Sequence, residues 1–309
     1  MNDTKELLSG KRVAVLMGGP GSERLVSMAS GKGVMDALIS LGADAYAVDV
    51  KDDGFQLKEG TDLAFNVIHG TYGEDGGVQA ELERRGVRYT GEGVEGSRTA
   101  IDKIRSKECF VRHGVQTPAF EVIASGDRPT MGVPIVLKAP KEGSSVGVYI
   151  VREESELDAA LVEVARYSDT VLVEEFVEGR ELTVGILGDD ALPVIEIRAR
   201  KDFYNFENKY PFLNPKAAGA DHLCPAPMSE ECEKLVKDTA LKAHRALGLR
   251  VYSRVDLLLR NDGSVYVLEI NTIPGMTPSS LLPEAAAEVG ISYAQLCRTV
   301  IDLSLSRKP

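Results

Sequence analysis

Arg254, Asp256, Glu269 and Asn271 place one cation, two carboxylates and an amide in a short stretch near the C-terminus. The first pair lies in the run 251–259 and the second in 265–271, both rich in β-branched and aliphatic residues. Between them stands Asn261-Asp262-Gly263-Ser264, and Asp-Gly is a strong signal for a two-residue hairpin turn because both positions tolerate positive φ. Counting outward from that turn, Asn261 faces Ser264, Asp256 faces Glu269 and Arg254 faces Asn271. Side chains alternate along a strand, so these polar groups share one sheet face, while Val255, Leu257 and Ile270 project from the other. Opposed carboxylates only ~5 Å apart at Cβ repel each other. A hard divalent cation such as Mg²⁺ removes that cost, and carboxylate and amide oxygens suit it. The alternative is a solvated polar hairpin face. The sequel, Thr272-Ile273-Pro274-Gly275-Met276-Thr277-Pro278-Ser279-Ser280-Leu281, is a loop able to present N–H and hydroxyl donors beside such a cation.

A second candidate is Lys138-Ala139-Pro140-Lys141-Glu142-Gly143-Ser144-Ser145-Val146-Gly147. A lysine ends a buried strand, and a small glycine- and hydroxyl-rich turn follows that can fold over phosphates; an ordinary surface turn is the competing reading. Glu174-Glu175-Phe176-Val177 ends another strand with carboxylates that could bond an adenine amino group or a ribose, or simply face solvent. Two other glycine clusters fail as nucleotide motifs. Gly19-Pro20-Gly21-Ser22-Glu23-Arg24 lacks the third glycine of a dinucleotide fingerprint, and Gly31-Lys32-Gly33 has no hydroxyl after its lysine.

These groups need a scaffold, and bulk properties limit which one. The 309 residues, 43% hydrophobic and 27% charged, allow a soluble protein of two or three domains. A net charge of −11 argues against nucleic acid or an anionic membrane as principal partner. Cys109, Cys224, Cys232 and Cys297 form no CxxC pair and read as reduced thiols. No apolar run approaches the ~18 residues of a membrane span, and the first ten residues are too polar for a signal peptide. A cytoplasmic protein is expected.

Strand-like runs at 13–17, 45–50 and 63–68 alternate with helical spacing through Val26, Ala29, Val34, Ala37, Leu38 and Leu41, with Ser22 as candidate cap, and at 78–85. That order implies a parallel sheet whose ligand loops follow the strands, at Gly18–Arg24 and His69–Gly77. Beyond a boundary near Tyr89-Thr90-Gly91, the spacing predicts one helix over 97–113 stopped by Gly114. Strands follow at 120–123, 134–138, 146–151 and 170–176, with a helix over 153–167. Further strands fall at 181–187 and 191–198, and a helix over 229–247 ends at Gly248. The overall class is α/β (α+β). Residues 201–220 carry aromatics without periodicity, which reads as a lid.

Taken in order, Gly18-Gly19 with Ser22-Glu23-Arg24, His69-Gly70 with Gly73-Glu74-Asp75-Gly76, and Asp102-Lys103 with Arg105-Ser106-Lys107 resemble D-alanine–D-alanine ligases of the ATP-grasp superfamily. So do Lys138 with Glu142–Gly147, Lys209-Tyr210, Arg254-Val255-Asp256, and Glu269-Ile270-Asn271-Thr272 with Pro274-Gly275-Met276-Thr277. Pro20-Gly21 and Tyr252-Ser253 depart from the family's usual residues without touching these side chains. The resemblance implies an N-terminal α/β domain (1–91), a central subdomain (92–178) and a C-terminal subdomain (179–309) carrying the lid, with ATP between the last two. It implies phosphorylation of one D-alanine, attack by the amine of a second, and release of phosphate, for cell-wall precursor synthesis. Asp256, Glu269 and Asn271 match ligands of two Mg²⁺ or Mn²⁺ ions. Lys103, Lys138 and Lys209 match phosphate contacts; Ser145, Glu174, Glu175, Phe176, Val177 and Glu181 match the rest of the ATP site. Glu23 and His69 match contacts to the first D-alanine, and Ser144 and Tyr210 a polar link from Glu23 to the closed lid. Arg254 and the Gly275 N–H match an oxyanion hole, and Ser280 and Leu281 a clamp on the second substrate's carboxylate. A homodimer is implied. Tyr210 favours D-alanine as the second substrate. The alternatives are a ligase taking D-serine or D-lactate there, or a silent nucleotide-binding regulator.

Overall fold

The computed structural model describes residues 8–200 and 219–307. Lys209, Tyr210 and most of the expected lid therefore lie outside the described residues.

Three sheets organise the described residues. The first orders β2 (Asp44–Val50), β1 (Arg12–Gly18), β3 (Leu63–Asn66) and β4 (Arg88–Tyr89), all parallel. Val13 to Leu16 in β1 are fully buried, as an interior parallel strand covered on both faces requires. Helix α1 (Arg24–Ser40) crosses from β1 to β2, and α2 (Gly77–Arg84) from β3 to β4. Ser22 does not cap α1. Glu23 occupies the cap position, and its side chain makes no capping bond because it is turned toward Ser144.

The second sheet is antiparallel, in the order β5 (Phe120–Ala124), β8 (Thr170–Glu175), β6 (Ile135–Lys138), β7 (Val148–Val151). Strand alternation divides its residues. Ile135, Leu137, Val151, Val171 and Val173 pack with Leu157 and Val164 of α5 (Glu154–Val164), while Val136, Lys138, Val148, Ile150 and Glu174 line the opposite face.

The third sheet orders β12 (Ala220–Leu223), β11 (Ile195–Ala199), β9 (Arg180–Leu187), β13 (Tyr252–Leu259) and β14 (Val265–Asn271), with β10 (Asp190–Ala191) beside β9. One face buries Leu182, Val184, Ile186, Val255, Leu257, Val267 and Ile270 against α6 (Glu230–Ala246). Ser229 caps α6, three glutamates occupy its first turn, and His244 and Arg245 its last, all favourable to the helix dipole. Helices α7 (Leu281–Glu288) and α8 (Tyr293–Ser306) pack back against the first sheet's core.

Two expectations need correction. The helix expected over 97–113 is two helices, α3 (Val94–Ile101) and α4 (Lys103–Arg112). Asp102 breaks the run in extended conformation and caps α4, its carboxylate accepting from the Ile104 and Arg105 N–H groups. Both helices bury side chains (Ala100 and Phe110) in the third sheet's core rather than the second's.

The hairpin loop is also longer than two residues. The Arg260 N–H donates to Ser264 O and the Gly263 N–H to Arg260 O, with Gly263 at φ +86°, so Asn261 does not face Ser264. That extra loop residue would put Glu269 out of register, but a bulge restores it: Leu257 pairs with Val267 while Asp256 pairs with Glu269, leaving Leu268 as the extra residue. Asp256–Glu269 and Arg254–Asn271 are thus opposed as expected, through two shifts that cancel.

Candidate active site

A cleft of about 580 Å³ opens between the facing sides of the second and third sheets. Lys138, Ser145, Glu174, Glu175, Phe176, Val177, Glu181, Asp256 and Glu269 all line it, so the expected ATP contacts among the described residues come together. Phe176 lies under the Arg152 guanidinium at 4.5 Å from the ring centre. Ser144 and Ser145 adopt positive φ of 52° and 62°, conformations costing non-glycine residues about 1 kcal/mol or more and typical of ligand-binding turns.

Charge in the cleft is tightly paired. Glu174 Oε2 meets Lys138 Nζ at 2.7 Å and Oε1 meets Lys107 Nζ at 3.0 Å. Burial opposes ionisation of Glu174, but the two ammonium groups outweigh it and hold the carboxyl below its usual range. Lys107 is fully buried; it also bonds Thr117 Oγ1 at 2.6 Å, and burial pulls its pKa down to about 8. Lys107 belongs to the motif that carries the resemblance, and no role follows for it from the sequence. Lys103 opens α4, where its N–H donates to Pro140 O and its Nζ to Glu142 O at 2.7 Å.

Asp256, Glu269 and Asn271 converge at the cleft's inner end. Asp256 accepts from Arg254 twice, at 2.8 and 2.9 Å, from Thr183 Oγ1 at 2.6 Å and from Asn271 Nδ2 at 3.2 Å. Glu269 Oε2 meets Lys103 Nζ at 3.0 Å. Burial disfavours the lysine's charge, but Glu269 and then Glu174 raise its pKa. An ammonium and a guanidinium thus stand beside hard oxygen donors of the type that divalent cations take. Among the described residues no three His, Cys, Asp or Glu side chains form a complete metal cage. Two carboxylates and an amide leave room in the coordination shell for phosphate oxygens and water, as Mg²⁺ sites with nucleotides do.

A chamber of about 30 Å³ adjoins this end, lined by Glu23, Gly70, Glu74, Lys103, Ser144 and Glu269 among others. Ser144 Oγ donates to Glu23 Oε1. The other oxygen, Oε2, lies between two glycines: a Cβ at Gly70 would stand 2.8 Å from it and one at Gly143 2.9 Å. Glu74, which the sequence motif contains but to which no role was given, is buried here and accepts from Gly70 N–H at 3.0 Å. Burial, with the nearby Glu23 charge, raises its pKa to about 8.

His69 is buried beside this chamber with both ring nitrogens engaged. Nδ1 lies 2.9 Å from Ile273 O and Nε2 3.1 Å from Ser30 Oγ. A carbonyl only accepts, so Nδ1 carries the proton. Burial lowers the ring's pKa, which leaves Nε2 neutral and accepting from the Ser30 hydroxyl. Gly275 follows Ile273 by two residues. Ser280 precedes α7 without a side-chain capping bond, its Oγ accepting from Thr277 N–H at 3.0 Å, and Leu281 opens α7, buried.

Three antiparallel-and-parallel sheets with a nucleotide-sized cleft between two of them define an ATP-grasp ligase fold. A family model described as D-ala D-ala ligase C-terminus matches residues 110–302. A D-alanine–D-alanine ligase of Pelobacter propionicus is 44% identical over 99% of both chains. A crystal structure of the Bacillus anthracis D-alanine–D-alanine ligase complexed with ATP superposes with TM-score 0.82 at 29% identity, covering 96% of this chain and 98% of that one. The VanG D-Ala:D-Ser ligase of Enterococcus faecalis gives 0.83 at 25% identity, covering 96% and 100%. The chain belongs to the D-alanine–D-alanine ligase family. Among the described residues no helix is long and apolar enough to cross a membrane.

Proposed function

We propose that this protein joins two molecules of D-alanine at the expense of ATP, forming D-alanyl-D-alanine, ADP and phosphate. The observation that carries the reading is the meeting of Asp256 and Glu269 with Lys103 and Lys138 in one cleft, beside a chamber lined by Glu23, Lys103, Glu269 and Asn271. A carboxylate is a poor electrophile, and phosphorylation turns it into an acyl phosphate that an amine can attack. Phosphoryl transfer chiefly needs positioning and charge neutralisation.

The residues divide that work. Glu174 to Val177 and Glu181 hold adenosine, and Lys103, Lys138, Ser145 and Lys209 hold the phosphates. Asp256, Glu269 and Asn271 would hold Mg²⁺ or Mn²⁺, two ions in this proposal. When bound, these ions offset charge on the transferring phosphoryl group. Glu23, fixed by Ser144, receives the ammonium of the first D-alanine and turns its carboxylate toward the terminal phosphate. Arg254 and the Gly275 N–H stabilise the oxyanion formed when the second amine attacks, and Ser280 and Leu281 hold the second carboxylate. Tyr210, outside the described residues, keeps the role the resemblance implies, closing the site against water that would hydrolyse the acyl phosphate. A homodimer and a cytoplasmic location belong to the same proposal.

The test is ADP release in the presence of Mg²⁺, with D-alanine, L-alanine, D-serine and D-lactate compared. Turnover with D-alanine alone and none with L-alanine is expected. Turnover only when D-serine or D-lactate accompanies D-alanine would reassign the second site, and no D-alanine-dependent turnover would leave a nucleotide-binding regulator.

A further inference from the structure

Gly275 sits on a loop whose flanking peptide groups are held from two distant helices. Ile273 O accepts from His69 Nδ1–H at 2.9 Å, and His69 Nε2 accepts from Ser30 Oγ–H at 3.1 Å. Ser30 Oγ in turn accepts from the Met276 N–H at 3.2 Å. These bonds close a ring around Pro274 and Gly275 in which each donor has one acceptor. On the far side the Tyr293 hydroxyl donates to Met276 O. Ser30, Ile273 and Met276 are essentially inaccessible and His69 nearly so, so water does not replace a lost partner. Ser30 lies on α1 and Tyr293 on α8, so the first sheet's domain and the C-terminal helix jointly fix this loop.

The two glycines of Gly31-Lys32-Gly33 make the approach possible. A Cβ at Gly31 would stand 2.5 Å from Met17 Cε and hold α1 off β1, and a Cβ at Gly33 would stand 3.0 Å from the Tyr293 hydroxyl. The cluster that failed as a phosphate loop is therefore a packing surface that sets α1 against the strand and against Tyr293.

We propose that Ser30 and Tyr293 are positioning residues for the Gly275 oxyanion donor, acting through His69 and Met276 without touching substrate. This inference rests on the Gly275 role proposed above. An N–H that must meet a developing oxyanion at ~2.7–3.1 Å gains its effect from being held in place beforehand. Phosphorylation of the first D-alanine does not use that donor to the same degree, so loosening the loop slows the amine-attack step selectively. The acyl phosphate then waits longer, and water that reaches it attacks at phosphorus, a step that needs no oxyanion donor: the new P–O bond to water forms as the P–O bond to the acyl oxygen breaks, giving D-alanine and phosphate back without dipeptide.

The experiment counts ADP and dipeptide together in Ser30→Ala, Tyr293→Phe and wild type. For Ser30→Ala the expected result is a kcat for dipeptide lowered by about tenfold, an ATP KM within about twofold of wild type, and an ADP-to-dipeptide ratio well above one. Tyr293→Phe should move the ratio in the same direction by less, which keeps the test decisive if Ser30→Ala does not fold. Restoring the hydroxyl in Ser30→Thr should bring the ratio back toward one. Unchanged kcat, or slower turnover with one ADP per dipeptide in both variants, overturns the proposal. Wild-type protein that makes no dipeptide overturns instead the reading on which it rests.

Discussion

The Glu23 carboxylate lies in a slot that tolerates no added carbon, and Gly143→Ala probes it with the least collateral strain. Gly143 has an ordinary negative-φ or extended backbone, unlike Gly70 at φ +67°, so alanine there adds a methyl group without backbone penalty. That methyl would stand 2.9 Å from Glu23 Oε2, about 0.5 Å inside ordinary contact. The carboxylate cannot retreat freely, because Gly70 borders the same oxygen and Ser144 holds the other. Displacing it weakens a charge-assisted bond to the substrate ammonium worth roughly 1.5–3 kcal/mol. At 1.4 kcal/mol per tenfold, kcat/KM for the first D-alanine should fall about 10- to 100-fold. ATP affinity, measured by nucleotide titration without D-alanine, should change by less than about threefold, and the urea midpoint should barely move. Gly70→Ala should show the same kinetic defect together with a stability loss of about 1–2 kcal/mol from the left-handed backbone. A stable Gly143→Ala enzyme with unaltered D-alanine kinetics would refute the placement of the ammonium at Glu23.

Asp102→Ala removes the α4 cap, so stability should drop by about 1 kcal/mol in urea melts and the ATP KM should rise through displacement of Lys103. Glu269→Gln should weaken Mn²⁺ binding in the presence of ATP by at least about tenfold, read by electron paramagnetic resonance, while nucleotide binding without metal persists. Glu74 titrates near pH 8 when folded and near ~4.3 when unfolded, so the folded state binds the extra proton between those values. Its contribution is therefore fully present below about pH 4 and is lost as pH rises through 8. Glu74→Gln should flatten that decline, with a smaller fall in urea midpoint between pH 6 and 9 than wild type; an identical fall would contradict the assignment.

Much of this site could be read from local pattern. The parallel first sheet follows from apolar runs alternating with helical spacing, and the polar hairpin face from Asp-Gly and period-two alternation. The hairpin register was right at Asp256 and Glu269 for an incomplete reason, because neither the third loop residue nor the compensating bulge at Leu268 leaves a composition signal. The α3–α4 break was hidden because apolar spacing runs on across Asp102, and only its position before Lys103 hints at a cap. The place of Lys107 is not legible locally, since its burial against Glu174 comes from an element 67 residues further along the chain. Ser30 and Tyr293 were invisible for the same reason: Ser30 meets Met276 across 246 residues of sequence. Local reading finds groups that share a strand or a loop, whereas what holds those groups in place is assembled by packing.

The central claim is that the cleft activates one substrate's carboxylate by phosphorylation before the second attacks. It is tested most directly by following ¹⁸O from carboxyl-labelled D-alanine during turnover with ATP. An acyl phosphate requires one ¹⁸O atom in the released inorganic phosphate for each dipeptide formed. Phosphate free of label, with dipeptide accumulating, would contradict the account.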